Sequence, residues 1–280
     1  MPMQEVRLAR LKDGLASVKL NKTIAPASIG DASDVIIRDA ATNEVVACQV
    51  QMPELAKDAR ELARLLRFTK LQWSDPKGIV SKSERLSGIG SNNFIIGNTA
   101  PSALYKRYAA KVAPVHIGNP RTGQLLLECA ASMWQKFQDV LPVEAQRHAQ
   151  LTTDALHDDW LLNGTPFSSG ICNNSSVLPY HKDQGNIKDA WSMMLCLRNK
   201  MDGGALHLPE YGVSFAIADL SLLLFCGQKI VHGVTPLLPQ SSEAYRFTIV
   251  FYTKTQLRKC GSAADEVKRA QIAATERIVA

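Results

Sequence analysis

The sequence predicts an α+β protein, with helices and a β-hairpin in its first half and an antiparallel sheet or barrel in its second. Three observations carry this reading. Apolar residues recur at helical spacing in two stretches before Leu162, short apolar runs follow one another from Gly170 onward, and turn residues separate those runs. Strands in succession with no helical segment between them pair antiparallel, because parallel neighbours need a long crossover.

The elements follow in order. Residues 34–51, DVIIRDAATNEVVACQVQ, form two apolar runs around the polar turn Ala41-Thr42-Asn43-Glu44, the pattern of a hairpin. Met52 to Leu71 carries Leu55, Leu62, Leu65 and Leu66 among Lys, Arg and Glu, which reads as an amphipathic helix. Ser74 to Pro101 is rich in Ser, Gly, Asn and Pro and reads as a long functional loop or an internal boundary. Leu125 to Leu141 and Pro142 to Leu162 read as two helices, the proline suiting a first helical turn. The runs ICNNSSVL, AWSMMLCL, GALHL, VSFAI, LSLLLF, KIVHGV and YRFTIVFY are the strands, and the charged tail after Gln256 is helical again. This divides the chain into an N-terminal elaboration packed on the core (1–100), the core (101–256) and a C-terminal helical tail (257–280).

Bulk composition sets limits. The 280 residues, 46% hydrophobic and 21% charged, suit a soluble globular enzyme with a substantial core. No apolar run approaches the roughly eighteen residues of a membrane helix, and MPMQEVRLARLKDG lacks a secretory pattern, so a cytoplasmic or nuclear protein is expected. Six scattered cysteines without a CxxC argue against a disulfide scaffold and a zinc finger. The net charge of +6 and pI near 9.0 favour a polyanionic partner. Arg60, Arg64, Arg67, Lys70, Arg85, Lys106, Arg107 and Lys111 are candidates for gripping phosphates, a solvated surface being the other reading.

The chemistry lies in the second half. In LPYHKDQGN, His181 and Asp183 stand at i and i+2, and on an extended segment they share a face. His232, in KIVHGV, can complete a 2-His-1-carboxylate set that leaves coordination positions open for a keto acid and oxygen. The pair is duplicated by His157 and Asp159, but these fall in a helical pattern, where i and i+2 diverge. Arg246 follows fourteen residues after His232 and begins an alternating strand, with Thr248, Val250 and Tyr252 on its face. An inward arginine needs an anion: a carboxylate of a co-substrate, or an acidic side chain nearby.

His181 to Tyr252 resembles the double-stranded β-helix dioxygenases, and among them the TET/J-binding-protein group, which oxidises 5-methylpyrimidines in nucleic acid. The motifs are His181-x-Asp183, GGALHLPEYG, ADLSLLLF, His232-Gly233-Val234-Thr235-Pro236, and Arg246 six residues before Tyr252. The resemblance implies a jelly-roll or cupin-like core. It implies iron(II) held by His181, Asp183 and His232, with 2-oxoglutarate on Arg246 and O2 as oxidant. It further implies that Asn186 hydrogen-bonds the target base and that Tyr252 stacks on it. With the basic pI this makes DNA the expected partner; no membrane is expected, and the oligomeric state is open, with a monomer favoured. Asn174 or its neighbour Asn173 is expected at the co-substrate, turn chemistry being the competing account. Two positions depart from the group: Gly185 and Lys254 stand where TET enzymes carry histidines. They leave 5-methylcytosine as the first base expected and thymine as the second, with Lys254 reading the base or meeting a phosphate. A barrel hydroxylating a small molecule or protein side chain, and a non-catalytic nucleic-acid-binding module, are the rival readings.

Overall fold

Asp39 reverses the chain between Val35 and Gln51. Its Oδ1 accepts hydrogen bonds from the Ala41 and Thr42 N–H groups at 2.8 and 2.9 Å, and Asn43 adopts φ +60°. Asx turns of this kind offer the backbone a local partner in place of the ladder. The hairpin expected at 34–51 forms here.

The computed structural model describes residues 3–11, 34–71, 73, 90–102 and 107–279. Its first strands are β1 (Gln4–Leu8), β2 (Val35–Asp39), β3 (Val45–Gln51), β4 (Gly90–Thr99) and β5 (Lys111–Val112). The second half supplies β6 (Ser169–Val177), β7 (Ser192–Asn199), β8 (Met201–Gly203), β9 (Leu206–Leu208) and β10 (Val213–Phe215). It ends with β11 (Ser221–Phe225), β12 (Gly233–Val234), β13 (Leu237–Pro239) and β14 (Tyr245–Tyr252). The helices are α1 (Ala56–Phe68), α2 (Pro114–Gly118), α3 (Pro120–Val140), α4 (Pro142–Thr153) and α5 (Ala263–Val279).

A nine-stranded sheet runs β1-β2-β3-β11-β7-β14-β6-β4-β5, facing a small sheet β10-β9-β12, with β13-β8 as a separate ribbon. Only β1 and β2 pair in parallel among the described ladders. The core is thus two opposed sheets, the double-stranded β-helix arrangement, without the full closure of a barrel.

The alternation of strand residues divides the core into two layers. Leu195, Leu197, Leu222, Leu224, Phe247, Ile249 and Phe251 pack on one face, against Leu62 and Leu66 of α1 and Leu126, Met133 and Phe137 of α3. Met194, Cys196, Leu223 and Phe225 point the other way and meet Leu206, Leu208, Val213 and Phe215 of the small sheet. The helices therefore cover the back of the large sheet, and its front, with Arg246, looks into the gap between sheets.

Two sequence expectations are corrected here. Within the expected loop Ser74–Pro101, Gly90–Thr99 is a strand paired along β6, from Gly90 with Val177 to Gly97 with Ser169. Phe94 and Ile96 are buried, and this burial with the ladder overrides the polar, glycine-containing composition. Residues 74–89 of that stretch lie outside the described residues. The helix expected to reach Leu162 stops at Thr153, whose hydroxyl bonds back to the Ala149 carbonyl, and a short 3-10 turn, Asp158–Trp160, follows.

Candidate active site

Three side chains converge where the segment after β6 meets the segment before β12. His181 and His232 exchange backbone hydrogen bonds in both directions, at 2.8 and 3.0 Å, and Asp183 N–H donates to the Gly227 carbonyl at 3.0 Å. Asp183 Oδ1 lies 3.6 Å from His181 Nε2 and 3.7 Å from His232 Nε2. All three ligand atoms fall within 4.8 Å of one another.

The tautomers suit a metal. His181 Nδ1 bonds the Pro179 carbonyl at 2.8 Å and His232 Nδ1 bonds the Ile230 carbonyl at 2.9 Å, so each Nδ1 holds the proton and each Nε2 lone pair faces the gap. Burial pulls the His232 pKa down to about 4, the Asp183 charge opposing it, and so keeps the imidazole neutral. Two imidazole nitrogens and one carboxylate form a donor set that fits iron(II).

A position the sequence reading did not single out makes room for the carboxylate. A Cβ added at Gly227 would lie 2.2 Å from Asp183 Oδ2, so any other residue here would push the carboxylate from its present place. Arg246 is similarly accommodated. Gly204 has φ +69°, and a Cβ there would lie 2.9 Å from the guanidinium Nε.

Arg246 is 1% exposed, and its Nη2 donates to the Gly204 carbonyl at 2.9 Å. Its Nε has no hydrogen-bond partner, and no carboxylate pairs with it among the described residues. Burial lowers its pKa from the ordinary value, the neighbouring Arg198 adding to the effect. A buried, unneutralised fork of donors fits the carboxylate of a keto acid. The sequence alternative, a salt bridge to a nearby acid, is absent among the described residues.

Asn186, Tyr252 and Lys254 are brought together by pairing between residues 185–187 and 253–255: Ile187 N–H donates to Thr253 O at 2.8 Å and Thr255 N–H to Gly185 O at 3.0 Å. Asn186 is buried, its Nδ2 3.5 Å from Asp183 Oδ2. Burial raises the Tyr252 hydroxyl pKa, with Asp183 adding to the rise, so the phenol sits in the field of the triad carboxylate. Lys254 Nζ lies 5.8 Å from the Tyr252 ring centroid, and burial, then Arg107, depresses its pKa.

Other candidates fall elsewhere. Asn174 pairs with Phe247, on the helix-covered face, whereas Asn173 pairs with Thr248 and donates to its hydroxyl at 3.3 Å. The register thus places Asn174 on the face opposite Arg246 and Asn173 on the face that Arg246 shares. His157 is exposed and receives the Asp159 N–H at 3.2 Å just ahead of the 3-10 turn, so this second His-x-Asp pair is a local cap and not a helix-face pair. Of the phosphate candidates, Arg60, Arg64, Arg67 and Lys70 lie on or just past α1, behind the large sheet. Arg85 and Lys106 lie outside the described residues, and Arg107 stands close enough to act on Tyr252 and Lys254.

This geometry agrees with what the chain resembles. Residues 115–255, half of it, match the family described as the oxygenase domain of the 2OGFeDO superfamily, Tet_JBP. The chain belongs to the TET/J-binding-protein family. Its members are iron(II)- and 2-oxoglutarate-dependent dioxygenases, and the matched stretch contains the triad, Arg246, Asn186, Tyr252 and Lys254. Thymine dioxygenase JBP1 of Leishmania tarentolae is 27% identical over 124 residues, 44% of this chain and 15% of that protein. The Trypanosoma brucei brucei thymine dioxygenase JBP1 is 28% identical over 112 residues, 39% of this chain and 13% of that protein. The chain thus spans a small part of the length of these curated relatives. The solved structure of NgTET1 in complex with 5mC DNA aligns over 99% of this chain and 91% of that one, with TM-score 0.64 and 13% identity, a likeness of fold. No helix among the described residues is long and apolar enough to cross a membrane.

Proposed function

We propose that this TET/J-binding-protein family member is a dioxygenase that oxidises the 5-methyl group of a pyrimidine in DNA. The observation that carries this reading is the buried Arg246, without a carboxylate partner among the described residues, on the sheet face that also bears Tyr252. A metal triad alone would suit many oxygenases. An anion site facing the gap between the sheets adds the keto acid, and Tyr252, in the field of Asp183, adds a flat surface for a base.

His181, Asp183 and His232 would hold iron(II), and Arg246 would hold the distal carboxylate of 2-oxoglutarate. When bound, the metal with keto acid and oxygen supplies the oxidation of a methyl C–H to a hydroxymethyl, the keto acid leaving as succinate and carbon dioxide. The protein's work is placement. The backbone carbonyls of Pro179 and Ile230 hold the imidazole protons at Nδ1, keeping Nε2 free. Tyr252 stacks a base withdrawn from the duplex, Asn186 bonds its edge, and Lys254 with Arg107 supplies positive charge at the mouth.

Between the two methylpyrimidines, the reading now favours thymine over 5-methylcytosine. Lys254 offers donors only, and thymine presents an oxygen acceptor where cytosine presents an amino group. The name of the curated relatives, thymine dioxygenase, points the same way. The test is to incubate pure protein, iron(II) and 2-oxoglutarate with DNA carrying thymine or 5-methylcytosine and to digest it for mass spectrometry. A hydroxymethyl base lost in His181→Ala and Asp183→Ala is expected. No oxidised base on either DNA, with uncoupled 2-oxoglutarate turnover intact, rejects the nucleic-acid reading.

A further inference from the structure

One buried carboxylate lies outside the triad yet reaches it through a single peptide group. Glu210, in the turn between β9 and β10, is 1% exposed. Its Oε2 accepts the Val231 N–H at 3.1 Å, and its Oε1 is ion-paired with Arg10, just past β1. The Val231 N–H belongs to the same planar peptide as the Ile230 carbonyl, and that carbonyl bonds His232 Nδ1 at 2.9 Å.

We propose that Glu210 is a positioning residue for the metal centre, acting through the Ile230–Val231 peptide on His232. This rests on the reading of His181, Asp183 and His232 as metal ligands. A negative charge on the N–H end of a peptide polarises its carbonyl end and strengthens the bond to the imidazole proton, since hydrogen bonds in series reinforce one another. The imidazole becomes a better donor to the metal and is held in one orientation. A buried carboxylate is costly unless it is paired, and Arg10 supplies the pairing. The same N-terminal segment ties down the turn, with Leu11 N–H donating to the Glu210 carbonyl at 2.8 Å. Residues 10 and 11, two hundred positions from the turn, thereby become part of the support of His232.

The test is cobalt(II) titration of the apo-protein, followed by the visible absorption of the bound ion, for wild type, Glu210→Gln, Arg10→Gln and His181→Ala. Glu210→Gln keeps the shape and an acceptor for Val231 but removes the charge. Weakening of about tenfold or more is expected for it, in the range seen when such outer partners are lost, with a smaller loss for Arg10→Gln. A companion spectrum reads the Nδ1 proton of His232 in the zinc-loaded protein, which should move upfield in Glu210→Gln, a change that a merely structural role would not produce. Wild-type cobalt affinity and an unmoved proton in a folded Glu210→Gln protein overturn the proposal. Failure of wild type to bind cobalt, or binding unaffected by His181→Ala, would instead reject the triad itself.

Discussion

Asp183 and Gly227 are fitted to each other: the aspartate N–H bonds the glycine carbonyl at 3.0 Å, and its Oδ2 fills the space a Cβ on residue 227 would need. Gly227→Ala therefore displaces the carboxylate from both histidines. Cobalt or iron affinity should fall about tenfold or more, comparable to the loss of a ligand's support. The fold should persist, because the position lies in a turn after β11. Metal titration beside a circular dichroism spectrum checks this, and undiminished affinity would show that the turn gives way without cost.

Arg246→Lys tests the co-substrate site. Lysine keeps a positive charge but loses the planar fork, and with it one charged hydrogen bond of about 2 kcal/mol, or roughly thirtyfold in affinity. The KM for 2-oxoglutarate should rise by about that factor while cobalt binding to the apo-protein stays unchanged. Equal loss of both would mean that Arg246 supports the fold and not the keto acid.

His181 with Asp183, and the face of Arg246, were legible in the sequence because their geometry is local: i and i+2 on an extended segment, and alternation along one strand. His232 joins them only through the tertiary bridge to His181, fifty-one residues away, and entered through the order of the motifs. The succession of antiparallel strands was legible from short apolar runs such as WSMMLCL and YRFTIVFY, which are continuous because both faces of the sheet are covered. What the sequence hid depends on tertiary pairing. Gly90–Thr99 has loop composition and becomes a strand only beside β6. Asn173 and Asn174 are neighbours of identical chemistry, and only the ladder with β14 decides which faces Arg246. The Asp183 approach to Gly227 and the Arg10–Glu210 ion pair join residues 44 and 200 positions apart, beyond any local pattern.

His148 predicts a pH dependence of stability. It is 1% exposed, stacked on Phe167 at 4.4 Å with Trp134 and Phe137 near, and its Nδ1 accepts the Trp191 N–H at 3.1 Å. Burial alone pulls its pKa down from 6.5 to about 3. Between those values the unfolded chain binds the proton and the native state does not, so stability present above pH 6.5 is lost as pH falls. The slope from this group is about 1.4 kcal/mol per pH unit. Urea titrations from pH 7 to pH 5 should show it. His148→Gln, which retains an acceptor for Trp191, should flatten the curve; an unchanged slope would assign the effect to other groups.

Lys254 is where base choice can be tested, because its ammonium lies by the Tyr252 ring and next to Asn186 in the ladder. Its ammonium can donate and cannot accept, so in the proposed reading it would meet the oxygen at position 4 of thymine and oppose the amino group of cytosine. Histidine can do either, according to its tautomer. Lys254→His should therefore lower kcat/KM on thymine and raise it on 5-methylcytosine, shifting the ratio by about tenfold for one hydrogen bond exchanged. Tyr252→Ala is the control. In the proposed reading it would remove the stacking surface, worth about 1–3 kcal/mol, and should weaken both substrates alike without touching cobalt binding. A Lys254→His enzyme that loses activity on both bases equally, and grows less sensitive to salt, would mean that Lys254 meets a phosphate and leaves the choice of base to Asn186.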